Sequence, residues 1–493
     1  MRRLTCLTWL VILLLSYASC SKHNPASCCT TQKQCSSQGL EQIYPCASGN
    51  VCDTNGTCVV GDCNTAGDCG TTTPFCIGQA CAAACTSNND CAADAAHPLC
   101  EPDGSCGACI TSASCPANAP ICTSDAHECV ACETGANCAS DVCDVAAGSC
   151  VDEADILYVS DQGANTGTCT RNAACRSVGF ATSVAAARTR VHILGANYTV
   201  PLDSGQATIF LTHTITRIDA ANTKIVNNAS APIFTEAGGE TPVVTLESMT
   251  IGGPGSGKSI SVSMSNVTAR STTLITPFAV GSGASFVLAT STLDATSPSS
   301  TAGTTTIQDC NVRSEIDVTA GAMTYLRNTF TATIAKAITI TSGIANVKNS
   351  IFVSNGMTGP VVDFSGGNGG SSSVEFSTFV SLQPTSHVPV TCLDPNVHVT
   401  NSVDAWNNVS SSCMTNYVLF SGAAGSVSGT GNLARNVASF FVDLAGQNFH
   451  LAAGSPALHG ANPSSTSTDD HDGAPRPNPT GSAPDLGAYE SAN

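Results

Sequence analysis

Three groups of residues in this chain have the types and spacing of known chemistry. Gly252 to Ser259 reads GGPGSGKS, the pattern of a loop that wraps backbone N–H groups around phosphate. Such a loop needs a following helix to aim its amides, and Ile260 to Val262 reads as strand, so no nucleotide is expected here. Cys106, Cys109, Cys129 and Cys132 form two CxxC pairs with the spacing of a zinc ribbon. They also fall at the junctions of a longer cysteine repeat, which makes disulfides the expected state. Asp469, Asp470 and Asp472 precede Gly473, with Asp485 and Glu490 downstream. Hard oxygens that alternate before a turn glycine can wrap Ca²⁺, which makes Asp470, Asp472 and Asp485 the candidate ligands; no other feature requires a cofactor. The competing and favoured reading is that Arg476 pairs with one of these carboxylates and latches a terminal turn.

The cysteines then divide the chain. Of the 29, 22 fall between Cys28 and Cys150 and only five follow. They repeat as a four-cysteine unit: Cys63, Cys69, Cys76, Cys81; Cys85, Cys91, Cys100, Cys106; Cys109, Cys115, Cys122, Cys129; Cys132, Cys138, Cys143, Cys150. Unit starts lie 22, 24 and 23 residues apart. Cys29, Cys35, Cys52 and Cys58 make a looser copy, with Cys28 and Cys46 as an extra pair. A segment so poor in large apolar residues has too little surface to bury and needs staples. Pairing inside each unit is expected, with Cys169 joined to Cys175, Cys392 to Cys413, and Cys310 left as a core thiol.

The opening residues explain how these cysteines reach an oxidising compartment. Arg2 and Arg3 are followed by a largely apolar run of 12 residues, Leu4 to Leu15, too short for a membrane span but suited to a cleaved signal. Ala18 and Ser19 before Cys20 resemble the lipobox of bacterial lipoproteins, although Tyr17 stands where that family usually has Leu. The resemblance implies that Cys20 is lipidated and tethers the protein to a membrane, and Ser21 after it resembles an outer-membrane sorting signal. Plain secretion is the alternative. With 18 basic against 36 acidic residues, nucleic acid is excluded as a partner, because phosphate binding needs clustered Lys and Arg.

Beyond about Asp155 the chain changes to short β-type runs separated by Gly, Ser and Asn. Ile156 to Ser160 and Val191 to Leu194 read as strands, and Ser177 to Ala187 as an amphipathic helix. A six-residue phrase then recurs, starting at Leu246, Met264, Leu288, Ile307, Leu326, Val347, Val374 and Val399, with a mean step of about 22 residues. Its third position is Ser248, Asn266, Thr290, Asp309, Asn328, Asn349, Phe376 and Asn401. A strand-only repeat of this length fits the coils of a parallel β-helix, with the third position at a corner and the helix as a cap on the first coil. A leucine-rich repeat lacks its leucine spacing here, and a β-sandwich array, the other alternative, has no such fixed period.

Two stretches carry a more specific likeness. Ile156 to Thr199, with ILYVSDQGANTGTC, ACRSVGFATSVAAA and VHILGANYT, resembles the entry of bacterial right-handed β-helix proteins. GSPALHGA, DDHDGAPRP and PDLGAYE, between Gly454 and Glu490, resemble the C-terminal signature of pectate-lyase-like surface proteins of the choice-of-anchor type, with His459 where Asp is more usual. The resemblance implies a cell-surface solenoid. That fold also carries polysaccharide lyases and hydrolases, but their GHG turn and RxK pair are missing, and Arg313, Lys336 and Lys348 read as isolated bases without an acidic cluster.

The expected organisation is a signal at 1–20, cysteine-rich repeats at 21–150, a right-handed parallel β-helix at 151–455 and a cap with tail at 456–493. The fold class is all-β, a solenoid preceded by a small disulfide-rich, loop-dominated segment. The expected work is non-catalytic contact with glycans, extracellular matrix or neighbouring cells from an outer membrane or cell surface. A carbohydrate-active enzyme and a structural envelope component are the alternatives.

Overall fold

A computed structural model describes residues 85–91, 97–102, 104–124, 127–145, 147–200, 208–227, 229–253, 257–332, 336–355, 359–364, 366, 372–383, 388–393, 396–406, 413–422, 425–426 and 428–491, together with strand segments at 50–52, 58–60, 75–77 and 80–82. The chain separates into two compact units, Met1–Cys150 and Val151–Asn493.

In the first unit each described cysteine repeat is a short 3₁₀ turn followed by a two-stranded antiparallel hairpin. The hairpins pair Leu99–Cys100 with Cys106–Gly107, Ile121–Cys122 with Cys129–Val130, and Cys143–Asp144 with Ser149–Cys150. The first cysteine of a unit bonds the third and the second bonds the fourth: Cys85–Cys100 and Cys91–Cys106, Cys109–Cys122 and Cys115–Cys129, Cys132–Cys143 and Cys138–Cys150. Cys20, Cys63 and Cys69 lie outside the described residues, as do the side chains of Cys76 and Cys81.

The second unit is a right-handed parallel β-helix. Among the described residues it holds two parallel sheets, of 21 and nine strands. One coil shows the plan. Ser285–Ala289 lies between Asn266–Arg270 and Thr304–Gln308, Thr292–Leu293 lies between Thr273–Leu274 and Asn311–Val312, and Ser299–Thr301 crosses to the second sheet. The two-residue alternation is visible in the middle coils, as where Val267 and Ala269 are buried and Asn266 and Arg270 exposed. Stacking the coils turns the inward positions into ladders. One runs Ile218, Leu246, Ala269, Leu288, Ile307, Tyr325, Val347, Val374, Val399. Another sets Phe330, Phe352 and Phe379 over one another, with the last two rings 5.0 Å apart and nearly parallel.

The corner between the first two strands of a coil is made by one residue in the left-handed region. Ser248, Ser271, Thr290, Asp309, Arg327, Asn349, Phe376, Asn401 and Tyr417 all have φ between 47° and 56°. Two corner assignments from the repeat phrase are corrected: Asn266 is a strand residue and the corner of its coil is Ser271, and Asn328 is one position past the corner at Arg327. The phrase slipped because Met264 and Leu326, read as its apolar start, do not point inward; Met264 is exposed and Leu326 pairs with outward Gln308. The position after the corner forms an inner polar ladder. Asn328 accepts the Cys310 N–H at 2.9 Å and donates to Ile307 O, while the Ser350 hydroxyl accepts the Asn328 N–H at 3.2 Å. Cys310 is the free thiol of this ladder, and burial pushes its pKa up to about 12.

A short helix, Val178–Ser183, closes the first coil, with the Ser177 hydroxyl accepting the Phe180 N–H as its N-cap. It buries Val178 and Ala181 against the strands Ile156–Val159 and Ile209–Leu211. At the other end the coils finish with Leu433–Arg435, paired to Leu419–Ser421. The chain from Asn436 onward then folds back as a strap on the outside of the last coils. Phe441, Phe449, Leu486 and Ala488 bury a second apolar cluster against Ile351, Val353, Val380 and Val403, which face outward.

Candidate functional site

The strap is held by the corners it crosses. Arg327 forms a bidentate pair with Asp309 at 2.7 and 3.0 Å and reaches Asp469 of the strap at 2.5 Å. Asn349 donates to Asp469 O, Asn401 accepts the Asn462 N–H and gives its own carbonyl to Gly487 N–H, and the Arg476 guanidinium lies 4.2 Å over the Phe376 ring. Gly487 has φ of 89° and would bring a Cβ to 2.7 Å from the Thr378 hydroxyl, so this close approach needs glycine.

The candidate Ca²⁺ ligands are used inside the strap and do not form a common ligand set. Asp470 accepts the N–H groups of Asp472, Ala474 and Glu490, and Asp485 accepts those of His459 and Ser491. Asp472 is bridged by His450 at 3.0 Å and His471 at 3.1 Å. Arg476 is fully buried in an ion pair with Glu490 at 3.0 Å and donates to the carbonyls of Asp485, Gly487 and Ala488. The latch by Arg476 therefore runs through Glu490 and backbone carbonyls. In the phosphate-loop pattern, Ser259 is buried with its hydroxyl on Ile251 O and Thr276 O, and a strand, Ile260–Val262, follows. Cys106, Cys109, Cys129 and Cys132 belong to four different disulfides. Cys169–Cys175 and Cys392–Cys413 are bonded within the solenoid.

Where the strap passes the last coils it leaves a cleft of about 490 Å³. Its floor is the outward row Glu375, Thr400, Asn416, successive rungs of the long sheet, together with the corners Asn401 and Tyr417. Its far wall is the strap segment from Asn462 to Thr466. Glu375 Oε1 accepts from Asn401 Nδ2 at 3.3 Å and from the Ser465 hydroxyl at 3.4 Å, while Oε2 has no donor among the described residues. The Tyr417 ring rests on Gly431, where a Cβ would stand 2.6 Å from Cδ1, and its hydroxyl likewise has no partner among the described residues. The result is a half-exposed cavity lined by a carboxylate, amides, hydroxyls and one aromatic ring.

A second polar group lies on the nine-stranded sheet. Its outward row runs Ser300, Asp317, Thr339, Asp363, Thr391. Lys336 contacts Asp363 at 2.6 Å, and the Thr339 hydroxyl donates to Glu315 at 2.5 Å. Burial, with the Glu315 charge beside it, pushes the Asp317 carboxyl above its ordinary range against the pull of Lys336. Lys336 is thus not an isolated base, which corrects the sequence expectation. Its partners are contributed by neighbouring coils, Asp363 standing 27 residues away. Neither a family model nor a curated protein matches this chain.

Proposed function

We propose that this is an exported surface protein, tethered through a lipid on Cys20, whose β-helix makes non-catalytic contact with glycans or matrix. The observation that carries the reading is the outward row Thr245, Thr268, Val287, Thr306, Thr324, Asn346, Ser373, in which six of seven rungs offer a neutral hydroxyl or amide. Such a surface meets hydroxyl-rich polymers with matched donors and acceptors and without charge steering. The disulfide repeats fit an oxidising compartment, and the C-terminal signature GSPALHGA to PDLGAYE supports the likeness to choice-of-anchor surface proteins.

A second reading, a polysaccharide lyase or hydrolase, is favoured by the Glu315, Asp317, Lys336 and Asp363 group, which sets a carboxyl of raised pKa near a lysine and further carboxylates. One experiment separates the two. The full chain is applied to a glycan array and, in parallel, assayed for new reducing ends and for unsaturated products. Retention without product supports the binder, whereas product formation abolished by Asp317→Asn or Lys336→Met supports the enzyme. In the same preparation, Cys20→Ala is expected to move the protein from membranes to the soluble fraction; a variant that stays membrane-bound removes the anchor from the reading.

A further inference from the structure

The cleft beside the strap carries an inference about ligand class, which rests on the glycan-contact reading. We infer that it takes a neutral sugar, of one or two rings, and rejects uronic acids. Three features of the site select this chemistry. At about 490 Å³ the cleft is in the range that encloses a small organic ligand and is short for a polymer. Among the described residues its one charged lining group is Glu375, an acceptor whose Oε2 can take hydroxyl protons from a sugar, whereas a second carboxylate beside it faces like-charge repulsion. Asn401 is occupied in holding Glu375 and the strap, which fixes the acceptor before any ligand arrives.

The remaining lining groups serve the same ligand. Thr400, Asn416 and Thr430 supply neutral donors and acceptors, and the Tyr417 ring supplies apolar area with a hydroxyl at its tip. Lys348, one rung from Glu375 and the nearest base on the row, does not line the cleft. The cleft is also a joint product of coil and strap, because Ser465 of the strap and Asn401 of the coil hold the same oxygen of Glu375.

The test uses the full chain and measures binding of cellobiose, lactose, chitobiose and digalacturonate by ligand-observed NMR. At least one neutral disaccharide is expected to bind and digalacturonate not. Glu375→Gln, which keeps the oxygen held by Asn401, is expected to weaken neutral binding at least tenfold and to remove the discrimination against digalacturonate. Thr430→Arg, on an exposed loop away from the Glu375 contacts, is expected to block the cleft while the melting temperature stays unchanged. Neutral binding that survives both substitutions overturns the cleft assignment and leaves glycan contact elsewhere standing. Digalacturonate binding equal to the neutral sugars overturns the ligand class. A protein that retains no glycan on the array or in solution overturns this inference together with the reading it rests on.

Discussion

Asp404 occupies the rung between Phe379 and Phe420 on an inward ladder, fully buried, with one oxygen accepting the Trp406 N–H. Burial drives its pKa well above the carboxylate range, against the small help of that hydrogen bond. A carboxyl whose folded pKa exceeds its unfolded value of about 3.9 adds stability only below that value, and the contribution is lost as pH rises. Asparagine keeps the acceptor and does not ionise. Asp404→Asn is therefore expected to stabilise the solenoid at pH 7 and to leave it unchanged at pH 3. Thermal melts of both proteins across this range check it, and equal gains at the two pH values reject a buried neutral carboxyl. Asp404 thus stands in a slot that Phe379 and Phe420 fill on the neighbouring rungs. What the repeat phrase does not carry is coil length. Successive corners lie 16 to 27 residues apart, so no fixed period tells which acid meets Lys336. For the same reason the cleft, built from Glu375 and the distant Ser465, has no local signature.

At the scale of elements, strand, corner and coil stacking were readable because each imposes a two-residue alternation or a polar break on consecutive residues. The strap was readable only as a signature, since its partners Arg327, Asn349 and Asn401 are 61 to 142 residues away from the groups they bind. The inner polar ladder was half legible: Asn328 stood out, but in the corner rather than beside it. Its bonds run between coils, from Cys310 N–H to Asn328 and from Asn328 N–H to Ser350. Asn328→Leu is thus expected to strand the Cys310 N–H and cost about 1–3 kcal/mol. Ser350→Ala strands the Asn328 N–H. Because the two share a network, the double substitution is expected to depart from additivity by at least about 0.5 kcal/mol in denaturant titrations. Strict additivity, or a silent Asn328→Leu, rejects the ladder.

The two units of the molecule hold their shape by different means. In the first, each described loop closed by a disulfide spans 11 to 15 residues, which in the chain-entropy account contributes up to about 3 kcal/mol per bridge, and its apolar core is small. In the second, continuous apolar ladders dominate, and Cys169, Cys175 and Cys392 are fully buried. Mild reduction is therefore expected to make the first unit a substrate for elastase, since it holds no Lys or Arg from residue 34 to 150 but many Ala and Val, while residues from about 151 onward survive as one resistant fragment. Loss of both together, or resistance of both, rejects this division.

The strap has a mechanical consequence. Neighbouring coils of the solenoid are joined by parallel pairing and by the ladders between them, so a pull on the C-terminal end without the strap loads the last rung first and unzips the stack coil by coil. Asp469, Asn462 and Gly487 bridge the strap to corners from Arg327 to Asn401, which spreads the load over four coils at once. Under tension the first event is then rupture of the strap, at a higher force than any later step, and the upstream coils ahead of Asp309 give way one after another. A solenoid strapped this way yields at a single threshold of force and holds its coils together below it.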